Sequence, residues 1–332
     1  MLTLLNQRFN ITLTFTGQMD GVMKMQKIFK SGILGLACLF SFNVVAENHT
    51  IGTGSQSGTY YPLGGILAKI WSENIEDFNM RAEVTAASVE NTIKVSTKKQ
   101  LAGIAMGNVV LQAHQGVKPF PRKMDVSVLF ALYPNVVQFI VPADSDIKTI
   151  KDLKGKRISL GAPGSGTRVS STNILAALGI KESDIDAQSL NYTATTNAIS
   201  AGQIDAGAIV GSVGVGAITE LAFTHNIRIL SFTPEELELV SASNPSYQTI
   251  DVPAQSYKNV AAFSAPAVWN ILIVNKNLDT ELAYKMTKIA FENMKEINQV
   301  ISVTKFTTIA NMNKLNGIDL HPGSLKYLKE NM

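Results

Sequence analysis

The chain has 332 residues, is 45% hydrophobic and 17% charged, and carries one cysteine and a formal charge of +3. It is too apolar and too weakly charged to be a disordered protein, and at roughly 150 residues per domain it is long enough for about two domains with real cores. A basic balance points to nucleic acid or a membrane surface only if the basic residues belong to the folded part.

The N-terminus accounts for that balance. Lys24, Lys27 and Lys30 precede an apolar run from Gly32 to Phe42, followed by Val44-Val45-Ala46 and then Glu47. A basic head, a short apolar stretch and a small-residue exit describe a secretory signal peptide, with cleavage expected after Ala46 and a periplasmic destination. The run is too short for a single membrane anchor, which needs about 20 residues. A lipoprotein processed at Cys38 would need a leucine-like residue where Gly35 stands. Met23 or Met25 suits the natural start, which makes 1–22 an over-long or non-native extension. Without residues 1–46, the 29 basic and 26 acidic residues become 25 of each, and the charge falls from +3 to zero. The cysteine leaves too, so the mature chain has no disulfide and no thiol chemistry and must rely on its core.

The mature chain alternates strands and helices. His49–Thr53 reads as a strand entering the loop Gly54-Ser55-Gln56-Ser57-Gly58. A helix follows, with Leu63, Ile66, Leu67, Ile70 and Trp71 at helical spacing and Pro62 in its first turn. Met80, Ala82 and Val84 alternate as a half-wet strand, and Ser88-Val89-Glu90-Asn91 opens a second helix. Leu101–Met106, Val126–Leu132 and Val136–Val141 read as three apolar strands. The basic stretch Ala143–Arg157 reads as a solvated turn and not a nucleic-acid patch, because no aromatic residues interleave with its five cations. A second strand-to-helix unit follows. It comprises Ile158–Gly161, the loop Ala162–Thr167 and a helix through Val169, Leu175 and Leu178 that stops at Gly179. Asp205–Val210 and Ile227–Phe232 are further strands, and Thr233-Pro234-Glu235-Glu236 is a capped helix start. Val268–Val274 is an apolar strand before a long helix with Leu282, Met286, Ile289 and Met294 on one side. Alternating units of this kind predict an α/β fold with mainly parallel sheets, whose ligands sit where loops leave the carboxyl ends of strands.

Two loops carry the chemistry: Gly52–Pro62 and Gly161–Arg168. Each places backbone N–H groups and hydroxyls at a helix N-terminus, where orphan donors and the helix dipole suit an anion. The second loop lacks the lysine of a phosphate-binding loop, since Thr167-Arg168 stands in its place. The first has the wrong glycine spacing for a dinucleotide fingerprint, and no nucleophile elbow is present. His49, His114, His225 and His321 lack metal-ligand spacing. Asp144, Asp146 and Asp152 are too loosely spaced for a calcium loop. No catalytic residue, metal or cofactor is therefore assigned. Two readings stay open for Arg168, a bidentate partner for a carboxylate or a solvent-facing residue just inside its helix. Tyr60 and Tyr61 offer rings and hydroxyls to close over a ligand, with one of the pair expected in the core.

These residues also carry a resemblance. IGTGSQSGTYYPLGGILAK (51–69), EVTAASVENT (83–92), ALYPNVVQFIVPADSDIKTIKDLKGKRISLGAPGSGTR (131–168) and HPGSLKYLKE (321–330), in that order, resemble the TAXI-type solute receptors of TRAP transporters. The resemblance implies a type II periplasmic-binding fold with two α/β lobes joined by crossing strands: 47–140 plus 265–332 as one, 141–264 as the other. It also implies a ligand cleft built from Gly54, Ser55, Ser57, Gly58, Thr59, Tyr60 and Tyr61, from Ser88, Glu90 and Asn91, and from Ser165, Gly166, Thr167 and Arg168. The sequence departs from the family at Gly107-Asn108-Val109 and at Gly211-Ser212-Val213-Gly214. Asn108 and Ser212 are expected to line the cleft there and to alter the usual ligand.

The expected function is an extracytoplasmic receptor for a small carboxylate, either an amino acid such as glutamate or a dicarboxylate or 2-oxo acid. It would deliver this ligand to TRAP permease subunits in the membrane, with no nucleic-acid partner. Two alternatives remain: a periplasmic sensory module serving a membrane kinase, and an exported enzyme on a similar fold. The absence of a nucleophile–base pair counts against the enzyme.

Overall fold

Among the described residues ten strands form one mixed sheet, and its order explains how two lobes share a chain. The computed structural model describes residues 47–315 and 317–332, so the export-signal reading of 1–46 lies outside the described residues. The first lobe opens with β1 (Glu47–Gly52), α1 (Tyr60–Asn74), β2 (Phe78–Glu83), α2 (Ser88–Ser96), β3 (Ala102–Met106) and α3 (Gly107–Gln115). β1 pairs in parallel with both β2 and β3. Next, β4 (Val126–Pro142) crosses to the second lobe, which holds β5 (Arg157–Ser159), α4 (Gly166–Ala177), β6 (Asp186–Gln188), α5 (Tyr192–Ser200), β7 (Ala206–Gly211) and α6 (Gly216–Thr224). β5 pairs in parallel with β6 and β7. The chain continues through β8 (Ile227–Ile229), α7 (Pro234–Ser243) and β9 (Gln248–Val252), and β10 (Phe263–Asn275) returns it to the first lobe. There α8 (Thr280–Glu292), α9 (Met294–Val300) and α10 (Pro322–Asn331) complete the packing.

The strand order is β2-β1-β3-β10-β4-β7-β5-β6, with β8 on β4 and β9 on β10. A parallel triplet therefore lies at each end, and two long antiparallel strands join them. The sequence predicts separate strands at 126–132 and 136–141, interrupted by Tyr133-Pro134-Asn135. The structure runs one 17-residue strand through all three residues. Pro134 has no N–H to give a ladder. It lies opposite Trp269, where the register with β10 shifts between Trp269 and Ile271, so the irregularity falls where the missing donor is least costly.

Two apolar clusters form, one within the first lobe and one that fills the second and extends to Val89, Met106 and Val109 of the first. In the first, Ile51, Leu63, Leu67 and Trp71 pack with Phe130, Leu272 and Met286. In the second, Phe139, Ile158, Ile174, Ile209 and Ile218 pack with Phe232 and Val240. Trp71 is fully buried and donates its indole N–H to the Met286 carbonyl at 2.9 Å. Local signals held where the chemistry is local. Thr233 and Glu236 form a reciprocal capping box with Pro234 in the first turn of α7, and Gly179 ends α4 at φ 73°. The basic stretch 143–157 is a surface turn, where Asp152 accepts from the Lys148 and Thr149 N–H groups at 2.9 and 2.8 Å.

The strand crossing is pinned by one buried amide. Asn270, fully buried on β10, accepts from the Tyr60 phenol and donates to the Tyr133 carbonyl at 2.9 Å. Replacing Asn270 with Ala would leave a buried phenol and a buried carbonyl unpaired. The expected outcome is a loss of about 2 kcal/mol of unfolding free energy, read as a lower denaturant midpoint at unchanged slope.

Candidate functional site

Two glycine loops face each other across the gap between the lobes. In the first, the Gly58 N–H returns to the Ser55 carbonyl at 2.9 Å, and the chain enters α1 at Tyr60 with Thr59 as N-cap. In the second, Gly161 adopts φ 104°, and a Cβ there would meet the Thr167 side chain at 2.7 Å, so the turn requires glycine. Ser165 caps α4 by accepting from the Arg168 N–H at 3.0 Å and donates to the Ala162 carbonyl at 2.7 Å. Ala87, the N-cap of α2, sits at φ 80°, ψ −135°, a region costly for a residue with a Cβ.

Between these loops lies a cavity of about 410 Å³. Its wall includes the N-caps of five helices: Thr59 of α1, Ala87 of α2, Met106 of α3, Ser165 of α4 and Asn191 of α5. Each helix N-terminus carries about half a positive charge from its aligned peptide dipoles. None of the described lining residues bears a formal charge. The wall thus favours an anion through backbone dipoles alone.

Three tyrosines lie in the wall. The Tyr60 proton goes to Asn270. The Tyr192 proton goes to the Val210 carbonyl at 2.6 Å, while Thr167 Oγ1 lies 3.3 Å from the same phenol. The Tyr133 hydroxyl is fully buried, with the Thr59 side chain as the polar group beside it. Burial pushes the Tyr60 and Tyr133 phenols well above their ordinary range and Tyr192 up to about 12. All three are therefore neutral hydroxyls at physiological pH. Two residues along β4, Asn135 donates Nδ2 to the Val210 carbonyl at 3.2 Å, and its Oδ1 is buried without a donor.

Hydrogen bonds close the gap. The Gly164 carbonyl of the second lobe accepts from the Val89 and Glu90 N–H groups of the first, both at 3.2 Å, and the Ser57 carbonyl accepts from the Ala217 N–H at 3.3 Å. Thr59 Oγ1 and Ser212 Oγ are 2.7 Å apart, and Thr193 donates to Ser57 Oγ at 3.0 Å. The structure is a closed state.

Of the residues the sequence and its resemblance nominate, Gly54, Ser55, Gly58, Thr59, Tyr60, Ser165, Gly166 and Thr167 line the cavity. The others lie off its wall. Ser57 and Ser212 make the closing contacts just described. Tyr61 lies half-buried on α1. Ser88 Oγ accepts from the Met106 N–H at 3.1 Å. Asn91 ties the Thr53 and Ile104 carbonyls together at 2.8 and 2.9 Å. Asn108 donates to Ser170 and Tyr247, both at 3.0 Å. Glu90 accepts from the Ala86 N–H at 2.6 Å and pairs with Lys94 at 2.7 Å. Arg168 pairs with Glu182 and reaches Ser189 at 3.3 Å.

The sequence reading missed Tyr133 and Asn135, the strand-end segment 84–87, and Asn191-Tyr192-Thr193 at the start of α5. Two signals were available. Tyr133-Pro134-Asn135 is a polar break in an otherwise apolar run, and Asn191 precedes a helix as an N-cap. Among the described residues no His, Cys, Asp and Glu cluster is suited to a metal, and no helix is long and apolar enough to cross a membrane.

The profile of the NMT1-like family matches residues 51–331. PhnD1 of Prochlorococcus marinus (MIT 9301), solved with methylphosphonate, is 13% identical and superposes with a TM-score of 0.54 over 86% of this chain and 97% of that one. A putative L-cystine ABC transporter protein of Listeria monocytogenes is 13% identical, with a TM-score of 0.50 over 78% and 95%. A structure from Bordetella bronchiseptica RB50 is 18% identical, with a TM-score of 0.50 over 85% and 88%. At these identities the likeness establishes the two-lobe periplasmic-binding-protein fold.

Closure depends on a small residue at the first position of α4. A Cβ on Gly166 would meet Ser88 Oγ at 2.5 Å and Met106 Sδ at 2.9 Å across the gap. Alanine is also the better helix former, by up to about 1 kcal/mol at interior positions and by less at this first one. Gly166→Ala is expected to hold the lobes apart without unfolding them. It would appear as a larger radius of gyration in small-angle scattering at an unchanged or higher melting temperature.

Proposed function

The chain belongs to the NMT1-like family, and from that premise we propose that it is an extracytoplasmic solute-binding receptor for a small carboxylate. It captures this ligand between its lobes and hands it to a membrane permease. The permease is of TRAP type, as for the TAXI-type receptors that the sequence resembles. The lobe limits 47–140 plus 265–332 and 141–264, and export with cleavage after Ala46, belong to the same reading.

The observation that carries it is the convergence of five helix N-termini on a closed cavity whose described lining bears no formal charge. Charge-assisted hydrogen bonds from neutral donors hold a carboxylate at about twice the strength of neutral ones. Each nearby N-terminus adds about 0.3–1 kcal/mol and does so without a competing counter-ion. Binding drives closure because the closing contacts and the ligand contacts share the same two loops. A ligand that bridges both lobes therefore prefers the closed state.

Thermal unfolding of the mature chain against a panel of monocarboxylates, dicarboxylates and amino acids tests the reading. At about 100 times its Kd, a true ligand contributes about 2.7 kcal/mol of stability and raises the melting temperature by several degrees. Silence across the whole panel would overturn the carboxylate assignment. N-terminal sequencing of the exported protein is expected to begin at Glu47.

A further inference from the structure

We infer that the carboxylate bound here carries an uncharged aliphatic body, seated against the methyl groups of Val84, Ala86 and Ala87, and that Val84 is a specificity-determining residue. The inference rests on the carboxylate reading above and adds the chemistry of the ligand's other end.

The segment that follows β2 builds this part of the wall. Val84, Ala86 and Ala87 line the cavity, and Val84 stays half exposed although the lobes are closed. The segment's own donors are engaged within its lobe. The Ala86 N–H donates to Glu90 Oε2 at 2.6 Å, and the Ala87 N–H to Thr85 Oγ1 at 3.0 Å. Thr85 in turn donates to Asn91 Oδ1 at 2.7 Å. The Val89 and Glu90 N–H groups are taken by the Gly164 carbonyl. The start of α2 therefore lends the cavity its dipole, while these N–H groups are committed elsewhere. The facing lobe continues the pattern. A Cβ on Gly164 would touch the Ala86 methyl at 3.4 Å, and Ser165 gives its hydroxyl proton to the Ala162 carbonyl. What this seam presents to a ligand is methyl groups.

The other closing seam is polar. Thr193 donates to Ser57 there, and Thr59 meets Ser212. Beside it Gln56 and Asn191 line the cavity and are exposed. Asn191 Oδ1 caps α5 by accepting from the Ala194 N–H at 2.9 Å, so its Nδ2 is the end left to donate. These amides and hydroxyls, with the dipoles of α1 and α5, match an anionic head. A polar group on the far end of the ligand would exchange water for methyl groups and gain no hydrogen bond. A methylene in the same place gains by burial. The two ends differ in their supply of donors, and that difference orients the ligand.

Calorimetry on the mature chain with propanoate, pentanoate, glutarate, glutamate and pentanamide tests the inference. Pentanoate is expected to bind about 10-fold more tightly than propanoate, since each buried methylene is worth roughly 4-fold. It should also exceed glutarate and glutamate by about 10-fold. Pentanamide, which keeps the body and lacks the charge, should bind at least about 10-fold more weakly than pentanoate. Val84→Thr keeps the side-chain shape and replaces one methyl with a hydroxyl. It should cut the preference for pentanoate over propanoate about 3-fold and shift the unliganded melting temperature by no more than about 2 °C, because the residue is half exposed. Glutarate or glutamate binding as tightly as pentanoate would overturn the inference and leave the carboxylate reading standing, as would an unchanged preference in Val84→Thr. Pentanamide binding as tightly as pentanoate, or no binding by any of the five, would overturn the carboxylate reading and this inference with it.

Discussion

The structure depends on how two long strands cross with polar groups buried between them. β4 and β10 carry the chain from one lobe to the other and back, and their residues are almost wholly buried. A crossing made only of apolar side chains would fix the packing but not the orientation. Asn270 supplies orientation by joining three elements at one point: the start of α1 through Tyr60, the middle of β4 through the Tyr133 carbonyl, and β10 itself. Buried amides are costly unless fully paired, so this arrangement is tightly specified. It also sets Tyr133 and Asn135 on the floor of the cavity, beside the register shift that lets the strands bend past each other.

Around that floor, attraction for an anion comes from backbone rather than side-chain charge. Five helices begin at the cavity wall, and the nearby formal charges are paired with one another at its margin. Dipoles fixed by secondary structure need no counter-ion and do not reorganise when a ligand arrives. The loops that present these helix ends also make the closing contacts. The Gly164 carbonyl covers the first two N–H groups past the start of α2, and the Ser57 carbonyl covers one at the start of α6. Closure thus satisfies donors at the rim.

Much of this was legible in the sequence, because local chemistry wrote it there. The glycine loops, the Thr233–Glu236 capping box, the Gly179 stop and the apolar helix stripes each depend on residues within a few positions of one another. Eight of the residues nominated for a ligand cleft line the cavity between the lobes, all from the two loops that open helices. Arg168 and Glu90 stand off the cavity wall, Arg168 paired with Glu182 fourteen residues away and Glu90 with Lys94 one turn along its own helix.

By itself, the sequence determined an alternating α/β chain with two anion-suited helix starts and a formally neutral body once residues 1–46 are set aside. Periodicity, caps and turn residues act at short range, so a linear reading recovers them. Only the tertiary structure decided that Tyr133 and Asn135 form the cavity floor and that no formal charge reaches its wall. Those outcomes depend on which strand crosses which, at what register, and on which distant side chain satisfies each buried group. The pairing of β4 with β10 sets the first, across more than a hundred residues of chain, and the Arg168–Glu182 and Glu90–Lys94 pairs set the second.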